Sequence, residues 1–107
     1  MDLDQQLFDE AKKYLPGGVN SPVRAFKAVG GAPVVVKKGK GSKIFAENGK
    51  TYLDYCQSWG ALILGHAPPA VVRAAAAAVK NGTSFGALTR AEIEFAMLER
   101  ADDDRID

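Results

Sequence analysis

The pattern of apolar and polar positions predicts a helix near the start of the chain, over residues 4–15. Its apolar side chains recur at helical spacing and form one stripe, which consists of Leu7, Phe8, Ala11, Tyr14 and Leu15. Asp4 is expected to cap the first turn, and Pro16 and Gly17 are expected to end the helix. An irregular loop is expected to follow over residues 16–26.

Three short runs of strand-forming residues come next and predict an antiparallel meander. The strands are expected over residues 33–37, 43–46 and 51–55. Asn48-Gly49, between the last two, is a strong hairpin signal, because a type I′ turn needs positive φ at both central residues. Three strands of this length enclose little core, so the meander is expected to lean on a larger structure.

The second half of the chain predicts two helices joined by a loop of small residues. The first helix is expected over residues 70–80, where alanine is abundant and Pro68-Pro69 opens the first turn. Asn81-Gly82 then provides a helix stop. Thr89 and Glu92 have the spacing of a capping box and are expected to begin the last helix.

Composition and charge exclude several classes of partner. The chain has 107 residues, of which 47% are hydrophobic and 25% charged, and its formal net charge is +1. This balance gives no reason to expect a nucleic acid or an anionic membrane as partner. Cys56 is the only cysteine, so no internal disulfide can form and a reducing compartment is expected. Neither a signal-peptide pattern nor the roughly 20 apolar residues of a membrane span is present, so a cytoplasmic location is expected.

The loop over residues 16–26 places one cation on a stiff backbone. Gly17-Gly18 permits unusual backbone angles and close approaches, and Asn20-Ser21-Pro22 fixes a turn. Arg24 follows, and its guanidinium presents two parallel donors that suit a carboxylate or a phosphate. A solvated arginine on a surface turn is the alternative, and the residues alone do not separate the two interpretations.

Three further residues could carry chemistry. His66 is the only histidine, and no catalytic triad or metal-ligand spacing surrounds it, so it is expected to bond to backbone near the next helix. No metal site is expected. Cys56 is expected to be a small apolar residue at a strand end. Trp59, between small residues, is either a core residue or a stacking wall for a planar ligand.

Three blocks of residues resemble a known family. They lie at residues 17–26, at residues 58–60 together with 63–67, and at residues 82–87. In order and spacing they resemble the blocks of the glutamate-1-semialdehyde 2,1-aminomutase family, within the class-III aminotransferases. The first block is specific to that family, whereas the wider class shares the meander and the Gly65-His66 pair.

The resemblance implies a pyridoxal-phosphate enzyme of fold type I, in the α/β class, that forms a homodimer. Such an enzyme moves an amino group within glutamate-1-semialdehyde to give 5-aminolevulinate, a tetrapyrrole precursor. By the same resemblance Arg24 receives the substrate carboxylate, Ser21 lies beside the substrate and Trp59 lines its pocket. Ser84 and Phe85 are expected at the dimer interface, near the partner's cofactor.

The resemblance also implies how the chain divides. Residues 1–57 are expected to hold the first helix, the substrate loop and the meander, and residues 58–107 to begin the large cofactor-binding domain. No catalytic residue is expected among them. The family's phosphate-binding segment, its aspartate on the pyridine nitrogen and its Schiff-base lysine have no counterpart here, and Lys27 and Lys80 match none of those motifs. Pro68-Pro69 departs from the residues usual in the family.

The expectation is therefore an N-terminal fragment that is inactive by itself and diverges from the family after Arg100, where the apolar pattern stops. Its uncovered apolar surface is expected to include Tyr14, Ile63, Leu64 and Val72. Two alternatives stay open at this point. One is another class-III aminotransferase, and the other is a small non-enzymatic module that binds an anion through Arg24.

Overall fold

The computed structural model describes residues 2–103. The helices and strands of this part are α1 (Leu3–Ala11), β1 (Val36–Lys40), β2 (Lys43–Ala46), β3 (Thr51–Leu53), α2 (Pro69–Val79) and α3 (Arg90–Asp103). Two short 3-10 turns, Pro16–Gly18 and Pro22–Ala25, lie between α1 and β1. This order of helix, antiparallel meander and two helices is the predicted one.

Helix α1 ends earlier than predicted, at Ala11. Its last turn tightens, because the backbone N–H groups of Lys13 and Tyr14 donate to carbonyls three residues back, each at 3.1 Å. Such bonds are frequent where helices end. Leu15 is then extended, with φ −116° and ψ 130°, as the residue before a proline usually is.

The prediction that Asp4 caps α1 is wrong. Asp2 occupies the N-cap position, and Asp4 lies in the first turn with only 5% of its surface exposed. Asp4 Oδ1 accepts a hydrogen bond from the backbone N–H of Val35 at 3.1 Å, and Oδ2 accepts one from the Asn48 side-chain amide at 2.6 Å. Because a carboxylate is buried only where it finds partners, these bonds explain its position and tie α1 to the meander.

The glycine pair after α1 lets the chain turn back onto the helix. Gly17 and Gly18 have φ of +71° and +78°, in the left-handed region. A Cβ at Gly18 would lie 2.6 Å from the Phe8 ring, closer than two carbon atoms can approach. The prediction of unusual backbone angles and a close approach at Gly17-Gly18 is confirmed.

The three strands form the predicted meander, paired antiparallel in the order β1-β2-β3, but β1 is displaced along the sequence. It covers Val36–Lys40 and not residues 33–37. The pairing of Lys40 with Lys43 leaves a two-residue turn at Gly41-Ser42, where Gly41 has φ +56°. A turn this short fixes which residues of β1 and β2 pair. The polar residues just before it, up to Lys40, are therefore part of β1.

The predicted hairpin at Asn48-Gly49 is present, although its turn type differs from the prediction. Gly49 has φ +86°, whereas Asn48 is not in the left-handed region. The Gly49 N–H donates to the Ala46 carbonyl at 3.1 Å and the Ala46 N–H to the Lys50 carbonyl at 2.9 Å. This is a three-residue loop with a left-handed glycine, which places the Asn48 side chain where Asp4 can accept from it.

Both later helices begin where the sequence indicates. Helix α2 starts at Pro69, one residue from the prediction. The capping box of α3 is confirmed: Glu92 Oε2 accepts from the Thr89 hydroxyl at 2.7 Å and from the Thr89 N–H at 2.6 Å. These two bonds, the hydroxyl first, lower the pKa of Glu92 below its ordinary value of 4.5. Helix α3 continues to Asp103, and residues 104–107 of the predicted irregular tail lie outside the described part.

Little apolar surface is buried within the described chain. Ala25 and Ala46 are the buried apolar side chains among residues 2–103. The four residues expected to form an uncovered surface are exposed by about half or more, namely Tyr14, Ile63, Leu64 and Val72. The covering layer predicted for them stays a prediction.

The chain forms two compact units that divide between Val72 and Arg73. The first holds α1, the 3-10 turns and the meander, and the second holds most of α2 and all the described residues of α3. The domain boundary predicted after residue 57 concerns a longer enzyme and stays a prediction. Within residues 2–103, every helix is too short or too polar to cross a bilayer.

Candidate functional site

A single carboxylate organises the chain where β3 ends. Asp54 Oδ1 accepts hydrogen bonds from the backbone N–H groups of Cys56 at 2.9 Å and Gln57 at 3.0 Å. The Gln57 side-chain amide donates back to the Asp54 carbonyl at 2.9 Å. Asp54 Oδ2 lies 2.6 Å from Nε2 of His66. Because the backbone turns around this carboxylate, β3 ends at Leu53, two residues before the predicted end.

The same donors fix the charge of Asp54. The backbone N–H of Gln57, followed by the His66 ring, lowers the pKa of Asp54 below its ordinary value of 3.8, although partial burial acts in the opposite direction. A carboxylate whose pKa is lowered on folding stabilises the fold when the pH is above the ordinary pKa of the group. This stabilisation is lost as the pH falls from the ordinary pKa through the lowered one. Asp54 is therefore an anion at neutral pH, and its side chain is only 12% exposed.

The backbone that follows Asp54 forms a left-handed turn over residues 57–60. The φ angles are +47°, +53°, +60° and +87° at Gln57, Ser58, Trp59 and Gly60. Each of the three residues that carry a Cβ is destabilised in this region by roughly 1–2 kcal/mol. The turn is closed by a hydrogen bond from the Gly60 N–H to the Cys56 carbonyl at 3.1 Å. It presents Trp59, which is 71% exposed and therefore not a core residue of the described chain.

His66 connects this turn to the meander. The prediction that its side chain bonds to backbone near the next helix is wrong. Its main chain exchanges two hydrogen bonds of 2.9 Å with Gly41 in the meander. Its ring instead binds the Asp54 carboxylate, which the sequence analysis missed. The ring lies directly over Gly39, where a Cβ would come within 2.5 Å of Nδ1. Glycine at that position is therefore a requirement of the His66–Asp54 contact.

Two of the predicted substrate residues lie in one 3-10 turn. The Arg24 N–H donates to the Ser21 carbonyl at 3.0 Å, and Ala25 is buried and anchors the turn. The Arg24 side chain is exposed, and its guanidinium makes no hydrogen bond or ion pair with the residues that the structure describes. A rigid backbone thus holds a cation that has no partner within the described chain.

The structure brings only some of the predicted site residues together. Ser21 and Arg24 are neighbours, but Trp59 shares no hydrogen bond or ring contact with either in the described part of the chain. Ser84 and Phe85 belong to the second unit. Cys56 is exposed and lies three residues beyond the end of β3 at Leu53, so the prediction that it stands at a strand end is wrong.

Ser84 and Phe85 line an open hollow of about 800 Å³ in the second unit. Its wall consists of residues 83–89 and Glu92. Phe85 lies across Gly82, where a Cβ would come within 2.8 Å of the ring. The lining residues include hydroxyl groups and one carboxylate, and no lysine or arginine belongs to them.

Comparison with known families decides the class of protein. The family model for class-III aminotransferases matches residues 26–100. The chain belongs to the class-III aminotransferase family. The match includes the meander, the Asp54–His66 contact, α2 and α3 as far as Arg100, whereas α1 and the two 3-10 turns precede it.

Curated relatives agree with this family. The chain is 58% identical over 98 residues to the glutamate-1-semialdehyde 2,1-aminomutase of Nitrosospira multiformis and 59% identical over 95 residues to that of Nitrosomonas europaea. It is 60% identical over 93 residues to glutamate-1-semialdehyde 2,1-aminomutase 2 of Brevibacillus brevis. These matches cover 87–92% of the chain but only 22–23% of each relative. The chain thus spans less than a quarter of the length of these relatives.

Solved structures confirm the fold. A transaminase with pyridoxal phosphate bound superposes with a TM-score of 0.77 at 38% identity, over 87% of this chain and 21% of that one. An omega-transaminase from Sphaerobacter thermophilus gives 0.80 at 32% identity, over 91% and 22%. The glutamate-1-semialdehyde aminomutase of Pseudomonas aeruginosa shares the fold, with a TM-score of 0.76 at 23% identity over 86% and 20%. The predicted N-terminal segment of the α/β, fold type I transferases is therefore confirmed.

The hollow beside Ser84 does not by itself fit the phosphate of pyridoxal phosphate. A phosphate site usually offers cations or several converging N–H groups, and here the lining residues include no cation. Glu92 also lines the hollow, and its lowered pKa keeps it negative at neutral pH, which repels a phosphate. The hydroxyls of this loop can form one wall of a cofactor site, and other residues would have to supply the positive charge.

Proposed function

We propose that this chain is the N-terminal segment of a glutamate-1-semialdehyde 2,1-aminomutase. That enzyme would move an amino group within glutamate-1-semialdehyde to give 5-aminolevulinate for tetrapyrrole synthesis. The observation that carries the proposal is the 57–60% identity to six curated aminomutases over 87–92% of the chain. The three sequence blocks that resemble this family lie in the same chain and agree with it.

The geometry of the 3-10 turn supports a role for Arg24 in binding the substrate carboxylate. An exposed guanidinium without a partner, on a backbone stiffened by Pro22 and anchored by Ala25, can form a two-point contact without first breaking an ion pair. Ser21 begins the same turn, and its side chain caps no helix, so its hydroxyl is available to substrate. Trp59 presents an exposed ring that suits a pocket wall.

The proposed enzyme uses pyridoxal phosphate, which supplies an electron sink for moving the amino group. In this chain Ser84 and Phe85 would contribute a wall near the cofactor of the partner subunit in a homodimer. We place the enzyme in the cytoplasm, and we expect the 107 residues alone to be inactive.

The experiment uses the full-length enzyme that contains this segment. Conversion of glutamate-1-semialdehyde to 5-aminolevulinate is measured for wild type, Arg24→Ala and Arg24→Lys. Loss of one partner of a charge pair in a closed site weakens binding by about 2–5 kcal/mol, so Arg24→Ala should raise KM strongly. Arg24→Lys should recover little, because an ammonium cannot form the two-point contact.

Lys27→Ala is the matched control, since it removes a cation three residues away without touching the proposed contact. A wild-type KM and turnover in Arg24→Ala would contradict the role of Arg24. Absence of 5-aminolevulinate from the wild-type reaction would contradict the proposed function itself.

A second candidate function, transamination between two molecules, is favoured by one observation. Two solved structures with more than 30% identity to this chain, at 38% and 32%, are transaminases. The same preparation separates the candidates. The aminomutase needs no second amino donor or acceptor, whereas a transaminase turns over only when both are supplied.

A further inference from the structure

The left-handed turn at residues 57–60 is held in a conformation that its own residues disfavour. Three of the four carry a Cβ, which the left-handed region accommodates poorly. The side-chain oxygen of Gln57 is buried there without a hydrogen-bond partner among the described residues, which is a second local cost. A strained segment persists only where surrounding contacts over-determine it. The hydrogen bonds around residues 57–60 therefore identify the groups that hold the turn in its left-handed conformation.

Backbone bonds close the turn itself: the Ala61 N–H donates to the Ser58 carbonyl at 3.3 Å and the Leu62 N–H to the Gln57 carbonyl at 3.0 Å, besides the Gly60 bond already described. Among the described residues, the side chain that joins the turn to the sheet is that of Asp54. The Asp54 carboxylate accepts from the N–H of Cys56 and from the N–H of Gln57, so it pins the backbone at the entry to the turn. Its other oxygen binds the ring of His66, and the His66 main chain is bonded to Gly41 in the hairpin between β1 and β2. The carboxylate thus links the strained turn to the sheet.

We propose that Asp54 is a positioning residue, whose carboxylate holds the left-handed turn and thereby fixes the direction of the Trp59 ring at the substrate pocket. The pocket role of Trp59 rests on the proposed function, whereas the control of the turn by Asp54 does not. Both oxygens of Asp54 already have partners within the chain, namely Cys56, Gln57 and His66, and its side chain is only 12% exposed. Its effect on substrate therefore passes through the turn.

The orientation of Trp59 is read directly in full-length enzyme labelled with 5-fluorotryptophan. The fluorine resonance of Trp59 is assigned as the one that disappears in Trp59→Phe. In Asp54→Ala this resonance should move and broaden, because the ring loses its fixed environment. The proposed misplacement should also reduce kcat/KM by about 10²-fold, expressed mainly in KM.

Asp54→Asn is the conservative variant. An amide oxygen can still accept from the two backbone N–H groups, so the resonance and KM should return part of the way to wild type. Asp9→Ala is the matched control, because Asp9 is also a carboxylate paired with a basic side chain, at 2.9 Å from Lys12 on exposed α1. It should leave the resonance, KM and kcat unchanged. If Asp54→Ala does not fold, the resonance of Asp54→Asn decides between the same outcomes.

Each outcome has a distinct meaning. An unchanged resonance and KM in Asp54→Ala, together with a raised KM in Trp59→Phe, would overturn the positioning role and leave the proposed function intact. A displaced resonance in Asp54→Ala with an unchanged KM in Trp59→Phe would support control of the turn and remove Trp59 from the substrate pocket. A displaced resonance together with raised KM in both variants supports the whole proposal.

Discussion

Replacing Asp4 by alanine should break the connection between α1 and the meander. The substitution removes the acceptor of the Val35 N–H at 3.1 Å and of the Asn48 amide at 2.6 Å. Both contacts join residues distant in sequence, so no local bond of α1 can replace them. Asp4 as a whole is 5% exposed, which means that solvent reaches it poorly in the folded chain.

The size of the effect follows from these two bonds. A hydrogen bond to a charged group contributes about 1.5–3 kcal/mol, and a buried N–H left without a partner costs about 1–3 kcal/mol. Relief of the desolvation of the Asp4 carboxylate offsets part of this loss. We therefore expect Asp4→Ala to reduce local stability by about 2–4 kcal/mol, which is about a 30- to 1,000-fold change in the opening equilibrium.

Hydrogen exchange at the Val35 amide measures this equilibrium directly. Its exchange should accelerate by the same factor in Asp4→Ala and by less in Asp4→Asn, because an amide oxygen can still accept from Val35. In a double-mutant cycle Asp4→Ala and Asn48→Ala should show a coupling of about 0.5–3 kcal/mol, as contacting residues do. Asp9→Ala, on the exposed side of the same helix, should leave Val35 exchange unchanged.

Equal Val35 exchange rates in wild type and Asp4→Ala would refute this reasoning. So would independent, additive effects of the Asp4 and Asn48 substitutions. Either result would mean that α1 is held by its apolar stripe alone.

Further predictions concern the turn, the cap of α3 and the chain as a whole. Trp59→Phe should keep stability within about 1 kcal/mol and change substrate affinity, and a large loss of stability at constant affinity would favour a structural role. Gly39→Ala should displace the His66 ring from Asp54, seen as changed NMR chemical shifts of the ring protons, whereas unaltered shifts would contradict the close approach. The cap made by Glu92 should persist at neutral pH and weaken as the pH falls below 4.5, because its pKa is lowered on folding. The measurement is a fall in the protection factor of the Thr89 N–H, taken against the intrinsic exchange rate at each pH. Borohydride reduction of the 107-residue chain with pyridoxal phosphate should label several lysines partially, and stoichiometric labelling of one lysine with turnover would contradict it.

Local chemistry determined much of the secondary structure from sequence alone. The capping box at Thr89 and Glu92 starts α3 because its two partners are three residues apart and need nothing else. Proline and alanine preferences place α2, and Asn48-Gly49 places a hairpin, since these signals act within a few residues of backbone. The family blocks are likewise a property of the sequence, and they led to the family that the comparison confirmed.

Contacts between distant residues decided the remainder. The residues next to Asp4 in the sequence suggest a helix cap. In the structure Asp4 is instead buried and hydrogen-bonded to Val35 and Asn48, which are too distant in sequence for a local pattern to indicate. The left-handed turn at residues 57–60 has no sequence signal, because its residues disfavour that conformation and the Asp54 carboxylate, tied to His66, imposes it from outside. Local conformational preferences depend on residues close in sequence, so they can be predicted from the sequence. The hydrogen-bond partners of a buried or charged group depend on which distant residues the fold brings near it, so they cannot.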